Sequence, residues 1–68
     1  MNNIGEIIKN RRKELEITQS TLAELAGISV GTVYKFERGE SNPTIDVLQK
    51  IAEVLGLEIT LKVKGNES

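Results

Sequence analysis

The stretch Thr18-Gln19-Ser20-Thr21-Leu22-Ala23-Glu24-Leu25-Ala26-Gly27-Ile28-Ser29 decides the fold of this chain. Thr18 is an N-cap residue, its hydroxyl able to accept from the N–H groups that a helix start leaves without partners. Leu22, Ala23, Leu25 and Ala26 follow as a short apolar stripe. Gly27 suits the left-handed conformation that closes a helix, and Ser29, two residues on, caps the next one. The spacing therefore predicts two short helices joined by a very tight turn.

Working outward, Val33 and Phe36 face inward in a helix from about Val30 to Arg38, which Gly39 closes. The polar segment Glu40 to Pro43 holds the only proline and reads as a loop. Thr44 then caps a fourth helix in which Ile45, Leu48, Ile51, Ala52 and Leu55 recur at three and four, up to Gly56. Upstream, Asn3 caps a first helix and Glu6 is placed to reach back to it, a capping box. Ile4, Ile7, Ile8 and Leu15 carry that helix to about Leu15. After Gly56 the period changes to two: Leu57, Ile59, Leu61 and Val63 alternate with Glu58, Thr60, Lys62 and Lys64, which predicts a strand. A lone strand leaves its backbone groups unpaired, and the simplest partner is the same strand of a second copy, antiparallel across a two-fold axis. Gly65 to Ser68 reads as a frayed tail.

Composition narrows the function classes. At 68 residues the chain is expected to be one domain, and a domain of this size buries only roughly 60% of the surface its unfolded chain exposes. Dimerisation is a physical expectation on that ground, since association stabilises the folded form by mass action. There is no Cys and no His, which excludes disulfides, thiolate metal sites and imidazole acid/base chemistry. No Gly-rich phosphate loop or pocket-forming cluster of carboxylates is present, so the reading is not an enzyme, without cofactor or metal. The N-terminus lacks a charged region followed by an apolar stretch. No apolar run reaches the roughly 20 residues of a membrane span. The chain reads as cytoplasmic.

Net charge is −1, whereas nucleic-acid binders usually carry an excess of Lys and Arg. Placement qualifies this. Four of the nine basic residues, Lys9, Arg11, Arg12 and Lys13, fall within five positions. Lys35 and Arg38 share a later helix. One basic face and a bland solvated surface are both compatible with that distribution.

Two short helices joined by a tight Gly-containing turn form a helix-turn-helix unit, whose second helix can enter a major groove while the first crosses the DNA backbone. Many helical bundles have tight corners, and the residues decide. The run Thr18 to Ser29, with Val33, Glu37-Arg38-Gly39, Asn42-Pro43, Arg12 and the Leu48, Ile51, Ala52, Leu55 helix, resembles the family of phage lambda Cro and repressor, the XRE family. The resemblance spans about Ile4 to Leu57. It implies an all-α, lambda-repressor-like bundle of about four helices, followed here by one C-terminal strand.

Carried over by position, the resemblance gives Gln19 a phosphate contact and a bracing role on the recognition helix, Val30 to Arg38. Val30, Gly31, Tyr34 and Lys35 match the positions that meet base edges. Ser29 and Thr32 would hold phosphates or base edges, since a hydroxyl serves either. Val30 and Gly31 depart from the usual polar readers, so specificity should lean on Lys35, Tyr34 and DNA shape. Lys35 can donate to guanine O6 and N7, and Val30 can pack against a thymine methyl. Gly31 either lets the backbone approach closely or is a tolerated helix glycine. Arg38 and Asn42 stand as phosphate clamps. Arg12 and Glu37 match the family's structural salt bridge and belong to the fold. Glu16 stands where the family commonly has Gly, so the corner after helix one is strained or ends differently.

Residues 56–63 also resemble the C-terminal strand of HipB-type antitoxins, which implies a dimer lid and a HipA-like kinase toxin as a possible partner. The resulting expectation is a helix-turn-helix DNA-binding domain over 1–56, a dimerisation strand over 57–64 with Leu57, Ile59, Leu61 and Val63 at the interface, and a disordered tail over 65–68. Its function is that of a transcriptional repressor acting as a homodimer on an inverted-repeat operator. The alternatives are a protein-interaction module with weak DNA binding and a phage-type regulator without a toxin partner.

Overall fold

The computed structural model describes residues 3–61 and residue 63. Four helices follow in order: α1 (Ile4–Glu14), α2 (Gln19–Ala26), α3 (Val30–Arg38) and α4 (Ile45–Leu55). Their starts are set by local chemistry. Asn3, Thr18, Ser29 and Thr44 are extended N-caps, each accepting from a backbone N–H three residues on. The reciprocal bond, from Asn3 N–H to the Glu6 carboxylate, is absent among the described residues, so α1 has half of a capping box. Gly27, Gly39 and Gly56 close α2, α3 and α4 with positive φ.

The end of α1 confirms the expected departure at Glu16. This residue sits at φ 60, the one non-glycine with positive φ among the described residues. For an L-residue that conformation costs roughly 1–2 kcal/mol. It is held because Glu16 N–H donates to the Lys13 carbonyl, Ile17 N–H to the Arg12 carbonyl, and the Arg12 guanidinium returns a bond to the Ile17 carbonyl at 2.8 Å.

The core is small and continuous. Ile8, Leu22, Ala23, Ala26, Val33, Phe36, Ile51 and Leu55 form one buried cluster, with α3 packed on α1 and α2, and α4 packed on α1 and α2. Gly5 lets α1 come against α3: a Cβ there would overlap the Phe36 carbonyl oxygen. The apolar periodicity is wider than the buried face. Leu25 and Ile45 are 63% and 67% exposed although both continue a helical stripe.

The described residues contain helices and no strand. Leu57 N–H instead donates to the Ala52 carbonyl past Gly56, and its side chain packs against the core. The four positions expected at a dimer seam therefore divide. Leu57 belongs to the core edge and Ile59 is half-buried, while Leu61 and Val63 are 95% and 84% exposed. Lys62, Lys64 and the 65–68 tail lie outside the described residues. No helix among the described residues is long and apolar enough to cross a membrane.

Candidate nucleic-acid interface

The corner between α2 and α3 is three residues long. Gly27, at φ 75, donates its N–H to the Ala23 and Glu24 carbonyls, and Ile28 N–H also returns to Ala23. Ser29 opens the next helix by accepting from Thr32 N–H at 3.1 Å. Its hydroxyl also shares a 2.8 Å bond with that of Thr32. Ser29 and Thr32, expected to hold phosphates or base edges, are thus first of all the cap that sets where α3 begins.

The inner side of α3 is fastened by more than apolar contact. Val33 is fully buried and Phe36 nearly so. Between them and the C-terminus, Glu37 accepts from Arg12 Nε at 2.8 Å, from Arg12 Nη2 at 3.1 Å and from Gln19 Nε2 at 3.0 Å. The Arg12 and Glu37 side chains are only 11% and 3% exposed, and the third donor group of Arg12 goes to the Ile17 carbonyl. Every buried polar side-chain atom among the described residues has a partner. Burial pushes the Glu37 carboxyl up, but the hydrogen bonds from Arg12 and Gln19, with the attraction of Arg12 and Lys9, hold it below its ordinary value. The salt bridge that the resemblance implied is present. Gln19 makes the expected brace, tying the first residue of α2 to the last turn of α3.

The outer side of α3 is arranged differently. Val30 and Tyr34 are 46% and 47% exposed. Gly31 and Lys35 are exposed as well, and Lys35 forms no ion pair among the described residues. Arg38 lies over the Tyr34 ring, 5.3 Å from its centroid, and donates from Nε to Glu40 at 2.8 Å. Arg38, expected from the sequence as a phosphate clamp, is thus half-exposed and paired with Glu40 in this structure. Asn42 is exposed in the loop that follows Gly39. Val30, Gly31, Tyr34 and Lys35 share one exposed face of a helix whose opposite face is locked into the core.

The basic run Lys9 to Lys13 is not a single solvent face. Arg12 is consumed inside. Arg11 donates from Nε to the Leu55 carbonyl at 2.8 Å and pairs with Glu14. A cation on the last turn of a helix satisfies an orphan carbonyl and suits the dipole. This cross-link between α1 and the end of α4 was missed in the sequence. Its one local signal, a basic residue in the last turn of α1, points to the wrong helix. No group of three or more potential metal-ligating side chains is found among the described residues.

The helix-turn-helix family matches residues 8–62. Over 64 residues the chain is 34% identical to a protein of Pyrobaculum aerophilum named as an HTH-type transcriptional regulatory protein, covering 94% of this chain and 26% of that one. It is 41% identical over 56 residues to the cryptic phage CTXphi transcriptional repressor RstR of Vibrio cholerae, covering 82% and 50% of the two chains. Among solved structures it resembles the P22 c2 repressor protein, crystallised with a synthetic operator, with a TM-score of 0.81 at 31% identity, over 85% of this chain and 88% of that one. The chain spans between about a quarter and a half of the length of these two curated relatives. A match over most of the chain, on the helices and the corner described above, makes it a member of the XRE/Cro-repressor-type helix-turn-helix family.

Proposed function

We propose that the chain is a sequence-specific DNA-binding transcriptional repressor that acts as a homodimer on an inverted-repeat operator. The observation that carries this is the division of α3: one face is locked by Val33, Phe36 and Glu37, and the other presents Val30, Gly31, Tyr34 and Lys35 to solvent. A helix held rigidly on one side, with a small and partly cationic other side, suits the major groove. Lys35 donates to guanine O6 and N7, Val30 packs on a thymine methyl, Tyr34 meets base edges, and DNA shape supplies the rest. Gln19, Arg38 and Asn42 contact the DNA backbone around it, and Ser29 and Thr32 hold phosphates or base edges. Repressor and operator in the P22 relative, and repressor in the name of RstR, support the same reading.

Residues 1–56 supply the DNA-binding unit, and 57–64 supply the dimer contact. Support for the second comes from an apolar groove of about 290 Å³ whose walls include Ile4, Ile7, Leu48, Leu57 and Ile59, and from the exposure of Leu61 and Val63 further along the same segment. Two such segments paired antiparallel would place recognition helices about 34 to 36 Å apart, in successive major grooves. A HipA-like toxin partner would dock on that paired lid, and the lid is the one feature that favours it.

Gel-shift titration on the DNA upstream of its own gene, against scrambled DNA at two salt concentrations, tests the proposal. Specific binding of two protomers that weakens steeply with salt is expected, because neutralised phosphates release counterions. Equal binding to both duplexes would move the function to a protein-interaction module. Removal of the residues after Gly56 should leave a monomer with weak operator binding; a truncated chain that stays dimeric would contradict the strand.

A further inference from the structure

Five glycines fall among the described residues, and four have an internal reason to be glycine. Gly27, Gly39 and Gly56 have positive φ, and Gly5 lies too close to the Phe36 carbonyl for a Cβ. Gly31 has neither reason. Its backbone is helical, and a Cβ there would meet only Ser29 Oγ, at 3.9 Å, with open space beyond. A glycine inside a helix is less favourable than alanine because it loses more backbone freedom on folding. The fold therefore bears a cost at Gly31 with no return inside the molecule.

Outside it, the position is a notch. Tyr34 and Lys35, three and four residues on, stand on the same face, and Val30 is its neighbour. All three side chains are exposed. The missing Cβ leaves the helix backbone bare and open to solvent there, on the face that carries the exposed side chains of Val30, Tyr34 and Lys35.

Building on the DNA-binding reading, we propose that Gly31 determines specificity by the absence of a side chain: the notch receives the 5-methyl group of a thymine in the major groove. Lys35 then donates to the purine beside it. A methyl added to the protein at position 31 and the methyl of the base compete for one space.

The two effects of filling the notch have opposite signs, which separates this role from a structural one. An operator is first selected with the wild type from a pool of randomised duplexes, and each thymine is then replaced by deoxyuridine, which lacks only the methyl. At one thymine per half-site the wild type should lose about four-fold in affinity, the equivalent of one buried carbon. Gly31→Ala should raise Tm by about 2–5 °C. It should also bind the thymine operator about 10-fold more weakly and be indifferent to deoxyuridine at that position. Gly31→Ser should lose the same discrimination.

A Gly31→Ala chain that keeps the wild-type affinity and thymine-to-deoxyuridine ratio overturns the notch alone. So does a fall in Tm, which would make Gly31 a folding requirement. A wild type that enriches no sequence overturns the DNA-binding reading itself, and the notch with it.

Discussion

The two faces of α3 carry the same chemistry in opposite settings. On the inner face an arginine and a glutamate, Arg12 and Glu37, meet almost without water and are joined by two hydrogen bonds, with Gln19 completing the carboxylate. On the outer face Arg38 and Glu40 meet at the same 2.8 Å, yet both are about half-exposed. Desolvation decides what each pair means. A buried charge that loses its partner has no solvent to fall back on, whereas an exposed pair separates at little cost. The inner pair therefore fixes where α3 sits, and the outer pair can be exchanged for a contact with another molecule.

The largest effect should come from breaking the inner pair. Arg12→Ala leaves the carboxylate of Glu37, a 3% exposed side chain, with Gln19 as its one remaining side-chain hydrogen-bond partner, and also releases the Ile17 carbonyl at the strained corner after α1. A loss of about 3 to 5 kcal/mol is expected, which approaches the whole stability of a domain this small. Urea unfolding would measure it. A loss below about 1 kcal/mol, the usual range of an exposed pair, would erase the distinction between the two faces.

Acid titration probes the same pair without mutation. Glu37 titrates below its ordinary value near 4.5 in the fold, because the hydrogen bonds and charge of Arg12 and the bond from Gln19 outweigh the upward push of burial. The unfolded chain takes up the proton first as pH falls. The contribution of Glu37 to stability is thus complete above about 4.5 and is lost as pH drops through the lower, folded value. Glu37→Gln should flatten this part of the stability curve relative to wild type. An unchanged slope would assign the acid sensitivity to other carboxylates.

How far this arrangement could be read in advance follows from the range of each interaction. Caps at Thr18, Ser29 and Thr44, and the closing glycines 27, 39 and 56, act within three or four residues, so sequence patterns identify them. The Arg12–Glu37 bridge spans 25 residues and was accessible only through resemblance to a family. Arg11 reaching the Leu55 carbonyl, 44 residues away, had neither route, since no pattern encodes an arginine aimed at a backbone oxygen. Gly5 was equally silent: in the Ile4 to Ile8 run it looks like a helix defect, and only the approach of α3 explains it. Val30, Tyr34 and Lys35 were visible as exposed positions of α3. The engagement of Arg38 with Glu40 and Tyr34 was not, because exposed side chains have several partners within reach.

On the outer face, Lys35→Ala should leave stability close to wild type and remove up to about 1 to 3 kcal/mol of discrimination at one base position. Binding to an operator and to its single-base variants would show the loss as a relaxed preference at that position. An unchanged preference would take Lys35 off the list of readers and leave Tyr34 and Val30 with that task.

The smallest effect should come from the outer pair itself. Glu40 holds the guanidinium that a phosphate would use, so Glu40→Gln should tighten operator binding by about two- to five-fold at low salt, within the range of an exposed ion pair. The dependence on salt should steepen by up to about one released counterion. Thermal stability should stay unchanged, in contrast to every change on the inner face. Glutamine also removes a negative charge from the neighbourhood of DNA, and that alone would tighten binding. The Arg38→Ala background distinguishes the two causes. If Glu40 competes with phosphate for Arg38, the gain vanishes once Arg38 is gone; if Glu40 merely repels DNA, the gain persists in full, and the outer pair is then a surface contact with no part in recognition.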